Sequence, residues 1–149
     1  MPARRTTIVA TANVKEYRDT IPHYVGTDDV VLELGWEWGT TSVLLAERAR
    51  EVVATDVSPE CVEQARKKHP GIRFEVLDGF DLAAALRLGT DFTKIYIDIS
   101  GLSGYRSLLD AIALVQAYAS VFRPEAIVIK SQSLKRFISG CVAWRMGGN

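Results

Sequence analysis

The stretch VVLELGWEWGTTS, residues 30–42, decides the fold. An apolar run of strand length ends at Gly35, and Gly39 is followed by three hydroxyl-bearing residues that can cap the first turn of a helix. A buried strand, a glycine turn and a helix in this order are typical of the first unit of a parallel α/β sheet. The stretch therefore predicts the opening of such a sheet.

The same alternation continues along the chain. Four further strands are predicted over residues 51–55, 72–77, 94–97 and 126–129, with helical patterns between them. This predicts an α/β protein with a Rossmann-like, doubly wound and mostly parallel sheet between two helical layers. The expected strand order is 3-2-1-4-5 in chain order, as in other doubly wound folds.

The composition is typical of one globular domain, because 48% of the 149 residues are hydrophobic and 24% are charged. We predict a single domain over residues 1–149. It consists of a helical cap segment over residues 1–27, a core over residues 28–131 and a short tail over residues 132–149. The cap helix is predicted from a capping box at Asn13. The tail has room for a short helix and one strand, expected over residues 141–146.

Charge, hydropathy and cysteine content exclude several classes of protein. Lys and Arg (18) balance Asp and Glu (18), and no apolar run approaches the ~20 residues that cross a bilayer. Cys61 and Cys141 fit neither a disulfide framework nor a zinc site, so we expect free thiols in a cytoplasmic protein. Cations gather at both ends of the chain, which predicts either a rim facing nucleic acid or solvated termini.

Acidic residues lie at the ends of four predicted strands. They are Glu33, Asp56, Asp78 and Asp98. Because ligands of open α/β sheets bind beyond the carboxyl ends of the strands, these residues predict a binding crevice, although each could also cap its own turn. Asp56 follows Gly35 by 21 residues, close to the ~20-residue offset at which an acid reaches ribose hydroxyls.

The glycine turn limits the kind of ligand. A dinucleotide site needs the pattern GxGxxG, but Glu37 stands at the middle position, where its charge would repel a pyrophosphate. No GxxxxGK[ST] pattern occurs, which excludes a P-loop. S-adenosylmethionine, with an adenosine at one end and a cationic amino-acid portion at the other, suits the same crevice. A nicotinamide-dependent enzyme stays an alternative.

On these residues the sequence resembles the class I S-adenosylmethionine-dependent methyltransferases over about residues 28–131. The stretches similar to the first four motifs of the family are VVLELGWEWGTTS, ATDVSPECVEQARKK, FEVLDGFD and KIYIDIS. The resemblance implies S-adenosyl-L-methionine as cofactor and no metal. Members commonly end with two further strands, and this tail has no room for both, so we expect truncated C-terminal strands and a homo-oligomer or partner subunit at the sheet edge.

The resemblance also implies which residues bind the cofactor. Glu33 would reach the ammonium of the methionine portion directly or through water, Asp56 would bind the ribose hydroxyls, and Asp78 would meet the adenine edge. The whole predicted set is Glu33, Gly35, Trp36, Glu37, Gly39, Asp56, Val57, Asp78, Gly79, Phe80 and Asp98.

Three residues are candidates for catalysis. They resemble the Lys-Asp-Lys core of fibrillarin-type RNA 2′-O-methyltransferases, and they are Asp98, Lys130 and Lys15. Lys15 lies 20 residues before Gly35 in the sequence. That similarity implies that a lysine beside Asp98 orients or deprotonates a ribose hydroxyl. The structural alternatives are that Lys130 simply pairs with Asp98 and that Lys15 is a surface lysine.

The sequence therefore predicts an S-adenosylmethionine-dependent methyltransferase, with RNA favoured over a small molecule or a protein as methyl acceptor. The alternative is a catalytically silent subunit that binds the cofactor and needs a partner to act. No membrane association is expected.

Overall fold

The computed structural model describes residues 4–36, 39–102, 104 and 107–147. Its sheet has six strands, β1 Thr7–Thr11, β2 Val30–Leu34, β3 Glu51–Asp56, β4 Arg73–Val76, β5 Lys94–Ile97 and β6 Ala126–Lys130. The helices are α1 Val14–Asp19, α2 Ile21–Tyr24, α3 Thr40–Ala46, α4 Pro59–Lys68, α5 Leu82–Leu88, α6 Leu108–Phe122 and α7 Gln132–Ser139.

The predicted α/β fold is confirmed. The strand order is β1-β6-β5-β2-β3-β4, and every neighbouring pair is parallel. The five predicted strands are β2 to β6, and they lie in the expected order, with β2 and β5 adjacent at the point where the chain reverses its direction across the sheet. This switch point is where ligands of such sheets bind.

The sixth strand, β1, was not predicted. It extends the sheet beyond β6, with Thr7 beside Ala126 and Thr11 beside Lys130. The segment over residues 1–27 thus holds a strand as well as helices, and the edge of β6 is covered by the chain's own N-terminal strand. The strand expected over residues 141–146 is wrong, because that segment forms no strand in the structure.

Side chains from the two faces of the sheet form two separate apolar cores. Leu32 and Leu34 of β2 face α5, α6 and α7 in one core. Val31, between them in sequence, belongs to the other core, with residues of α1, α3 and α4. By the same alternation Glu33 points toward this second layer. No helix in the described part of the chain is long and apolar enough to cross a membrane.

The helix predicted from Asn13 begins there. The Asn13 side chain accepts a hydrogen bond from the Glu16 N–H (2.9 Å), and the Glu16 carboxylate accepts one from the Ala12 N–H (2.8 Å), so two otherwise unpaired amides are satisfied. The helix is divided at Thr20 into α1 and α2, with Pro22 in the first turn of α2, where its missing N–H is tolerated.

Candidate functional site

A cavity of about 580 Å³ opens at the carboxyl edge of the sheet. It brings together nine of the residues predicted from the sequence, namely Gly35, Trp36, Asp56, Val57, Asp78, Gly79, Phe80, Asp98 and Lys130. The ends of β2, β3, β5 and β6 and the turn after β4 supply them, so the switch point of the sheet is also the floor of the cavity.

Gly35 shapes the floor of the cavity. Its φ is 77°, and a Cβ at this position would lie 2.1 Å from the carbonyl oxygen of Asp98. The backbone at the end of β2 therefore passes directly against the backbone at the end of β5, and only glycine permits this approach. Gly79 is also tight, since a Cβ there would lie 2.8 Å from Cδ1 of Ile99.

Two of the acidic residues are held by their own turns. Oδ1 of Asp56 accepts a hydrogen bond from the Ser58 N–H (2.8 Å), and Oδ1 of Asp78 accepts one from the Phe80 N–H (2.9 Å). In the described residues no hydrogen bond uses Oδ2 of either carboxylate. Each side chain is thus oriented by one oxygen and has the other available to a ligand.

Asp98 and Lys130 form an ion pair inside the cavity. The distance from Nζ of Lys130 to Oδ1 of Asp98 is 2.8 Å, and the two side chains are 23% and 6% exposed. They meet because β5 and β6 are neighbours in register, with Ile97 beside Ile129, so that the next residues of the two segments are Asp98 and Lys130. The pairing expected as the structural alternative is therefore present, and both partners also line the cavity.

Glu33 is buried beneath the cavity instead of lining it. Ser42 Oγ donates to its Oε1, whereas Oε2 has no partner in the described part of the chain. Burial raises the pKa of Glu33 to about 8, against the opposing effect of the Ser42 hydrogen bond. Glu33 does not line the cavity, so the direct contact with a ligand is not formed there, and the contact through water stays a prediction.

The glycine loop is described in part. Trp36 lines the cavity, and its ring also packs on Phe74, with 5.5 Å between ring centroids. Gly39 has a φ of 78° and precedes α3, against the ring of Trp36, and it does not line the cavity. Glu37 lies outside the described residues.

The structure does not bring Lys15 to the cavity. Its Nζ lies 2.6 Å from Oδ2 of Asp19, one helical turn later, and its side chain is 82% exposed. The spacing of 20 residues before Gly35 gives a position along the chain but not a face of α1. The predicted grouping of Lys15 with Asp98 and Lys130 is therefore not formed, and Lys15 matches the surface lysine of the alternative interpretation.

Two side chains of α4 that the sequence analysis did not predict also reach the cavity. Cys61 and Gln64 are three residues apart and so lie on one face of the helix, beside Asp56. The signal was present, since a helix that begins just after Asp56 must present one face to the same crevice. Among the described residues, no group of three or more His, Cys, Asp or Glu side chains could hold a metal ion.

Comparisons with known proteins agree with this geometry. A family model described as a methyltransferase domain matches residues 31–125. The sugar N-methyltransferase KedS8 from a Streptoalloteichus species has a TM-score of 0.60 and 17% identity, covering 81% of this chain and 48% of that one. DesVI from Streptomyces venezuelae has a TM-score of 0.59 and 18% identity, covering 78% and 48%.

A Streptococcus mutans protein in complex with SAH has a TM-score of 0.51 and 15% identity, covering 72% of this chain and 66% of that one. No curated protein matches the sequence. The chain spans about half the length of KedS8 and of DesVI, and at these identities the structural similarities show the fold alone. The family match is longer than half of the sequence and includes most of the cavity-lining residues. The chain therefore belongs to the methyltransferase domain family.

Proposed function

We propose that this protein is an S-adenosylmethionine-dependent methyltransferase that binds its cofactor in the cavity at the carboxyl edge of the sheet. The observation that carries the proposal is the convergence of the close Gly35 turn with Asp56 and Asp78, each with an available oxygen, around one space. The volume of about 580 Å³ lies within the usual range of small-molecule sites.

The residues present fit this cofactor chemically. A carboxylate oxygen at Asp56 can accept from ribose hydroxyls, and one at Asp78 from the amino group of an adenine. The lining carries three carboxylates and one ammonium, and that ammonium is paired with Asp98. The excess of negative charge favours a sulfonium and disfavours a diphosphate, which supports S-adenosylmethionine over a nicotinamide dinucleotide.

The protein's part in the reaction is alignment of the acceptor. The bound cofactor supplies an electrophilic methyl group on a sulfonium, so the acceptor atom needs correct placement and, where it carries a proton, a hydrogen-bond acceptor. Asp98 is the carboxylate in the cavity suited to that role. Lys130 holds Asp98 through Oδ1, which fixes the direction of its other oxygen.

The charges support a small-molecule acceptor ahead of RNA. One observation favours RNA, because β1 lies beside β6 and α7 packs on β1, so the two basic ends of the chain do meet. Several of their cations, however, are paired with acids. Arg4 pairs with Glu125, Lys15 with Asp19, and Lys135 with Glu16. The cavity itself is acidic, which disfavours a phosphate backbone there.

Calorimetry and a methyl-transfer assay test the proposal. We expect S-adenosylhomocysteine to bind and NAD not to bind, and affinity for NAD alone would overturn the cofactor assignment. With tritiated cofactor and pools of RNA or small molecules, Asp98→Asn should reduce transfer at least about 100-fold, as for a lost acid–base group. Lys15→Met is the matched control and should transfer at the wild-type rate. Cofactor binding without any transfer would support the catalytically silent subunit.

Thiol labelling tests the position of the cofactor independently of turnover. Both cysteines are free and exposed, but only Cys61 lines the cavity, whereas Cys141 lies at the start of the tail. S-adenosylhomocysteine should slow maleimide labelling of Cys61 and leave the rate at Cys141 unchanged. Equal rates at Cys61 with and without the ligand would contradict binding at this face.

A further inference from the structure

The strand β1 leaves one edge of the sheet without a neighbouring strand. It is the terminal strand of the order β1-β6-β5-β2-β3-β4 in the described chain. The Thr7 N–H donates a hydrogen bond to the Glu125 carbonyl, and the Thr11 carbonyl accepts one from the Ser131 N–H. The backbone groups of the odd-numbered residues of β1 therefore face β6. By the period of two, the backbone groups of Ile8 and Ala10 face outward. Such an edge is a template for pairing with another strand.

The tail after α7 has the pattern of a strand but pairs with nothing in the described chain. Val142, Trp144 and Met146 alternate with smaller or polar residues and are 93%, 90% and 95% exposed. Three large apolar side chains on one face of a segment are typical of a half-buried strand. Near them at the end of α7, Phe137 and Ile138 are also exposed.

The tail does not lie on its own β1 in the described chain. The Gly140 N–H bonds to the Phe137 carbonyl and the Cys141 N–H to the Ile138 carbonyl, both at 3.1 Å, so the helical turn continues through Cys141. Because α7 begins at the carboxyl edge of the sheet and packs on β1, the chain would then have to reverse its direction to pair with β1. The described chain shows no such pairing, because β1 has β6 as its single neighbouring strand there.

We propose that the tail over residues 141–147 adds as a strand to β1 of a second copy of this chain. In that position Val142, Trp144 and Met146 would cover the side of β1 that carries Ile8 and Ala10, next to the apolar end of α7. Reciprocal exchange of two tails covers β1 of both copies and closes a symmetric dimer.

The opposite face of the added strand suits Arg145. A groove lined by Val9 of β1 and by Glu16 and Asp19 of α1 runs along the same edge. Asp19 is paired there with Lys15, but this pair is exposed and therefore worth little. Arg145 of a second copy can form an ion pair with the Asp19 carboxylate in place of Lys15.

Sedimentation velocity of the full chain tests the proposal. We expect a mass of twice 16.5 kDa. A variant that ends at Gly140 should be a monomer whose thermal midpoint is independent of protein concentration, whereas the midpoint of the full chain should rise with concentration because dimerisation stabilises the folded state. Trp144→Ala should raise the dimer dissociation constant at least about tenfold. Leu109→Ala removes an exposed apolar side chain elsewhere and should leave it unchanged.

Hydrogen exchange distinguishes the other occupants of the edge. The amides of Ile8 and Ala10 should be protected in the full chain and lose protection in the variant that ends at Gly140. A monomeric full chain with both amides protected would mean pairing within one chain and would overturn the proposal. A monomer with both amides open, or a dimer that survives loss of the tail, would overturn it equally.

Discussion

Replacing Glu33 by glutamine should change the pH dependence of stability in a direction fixed by its burial. The side chain is fully buried, and burial raises its pKa from the ordinary 4.5 to about 8. Between these values the unfolded chain releases the proton and the folded chain keeps it, so the stability contributed by Glu33 is fully present below about pH 4.5 and is lost as pH rises toward 8. The loss is about 1.4 kcal/mol per pH unit, and on the order of 5 kcal/mol over the whole window.

Urea unfolding of the wild type and of Glu33→Gln between about pH 5.5 and about pH 7.5 measures this effect. The wild type should lose about 3 kcal/mol relative to the variant over that range, because glutamine has no proton to lose. Glu60→Gln, at an exposed position on α4, is the control for a general charge effect. A constant difference between wild type and Glu33→Gln across the range would show that Glu33 is hydrated or paired in the native protein, and the reasoning from burial would fail.

Two further substitutions test contacts described above. Gly35→Ala should lower the free energy of unfolding by at least about 2 kcal/mol and abolish calorimetric binding of S-adenosylhomocysteine, because its Cβ would overlap the Asp98 carbonyl. Gly71→Ala is the control and should have neither effect, because a Cβ at Gly71 meets no atom within 4 Å. Lys94→Met should lower the free energy of unfolding in urea by about 3 kcal/mol, because the largely buried Asp29 loses the ammonium that lies 2.8 Å from its Oδ1. A change near zero would mean that water replaces the ammonium.

The parts of the fold that the sequence predicted are those in which each element shows its own period. Strands β2, β3 and β5 are apolar runs that end at or just before glycine or aspartate, β4 alternates, and β6 is an apolar run that ends at Lys130. Ser58 and Asp81 cap α4 and α5, as their spacing indicates. Strand β1 has the local signal of a strand, since four of the five residues of TIVAT are β-branched, but it was not recognised in the sequence. Its five residues follow a charged terminus, and its pairing with β6 is a contact between residues 119 positions apart that no local pattern encodes.

The site was predictable in residue type more than in orientation. The rule that strands of a parallel sheet end at one edge brought Asp56, Asp78 and Asp98 together without any structure. It did not predict that the side chain of Glu33, one residue before the end of β2, accepts a hydrogen bond from Ser42 of α3. Nor could it say which face of α1 carries Lys15, since a helix of six residues with charges on several sides has no single evident orientation.

The pairing of β1 with β6 has a consequence for how the protein forms in the cell. Translation delivers β1 before every other strand of the sheet and β6 after every other one. While the ribosome adds the intervening residues, the nascent β1 has no strand beside it, and the strands β2, β3 and β4 can assemble first. The sheet is completed only when the last-made strand inserts between the first-made strand and β5, which makes its closure a late event of biosynthesis.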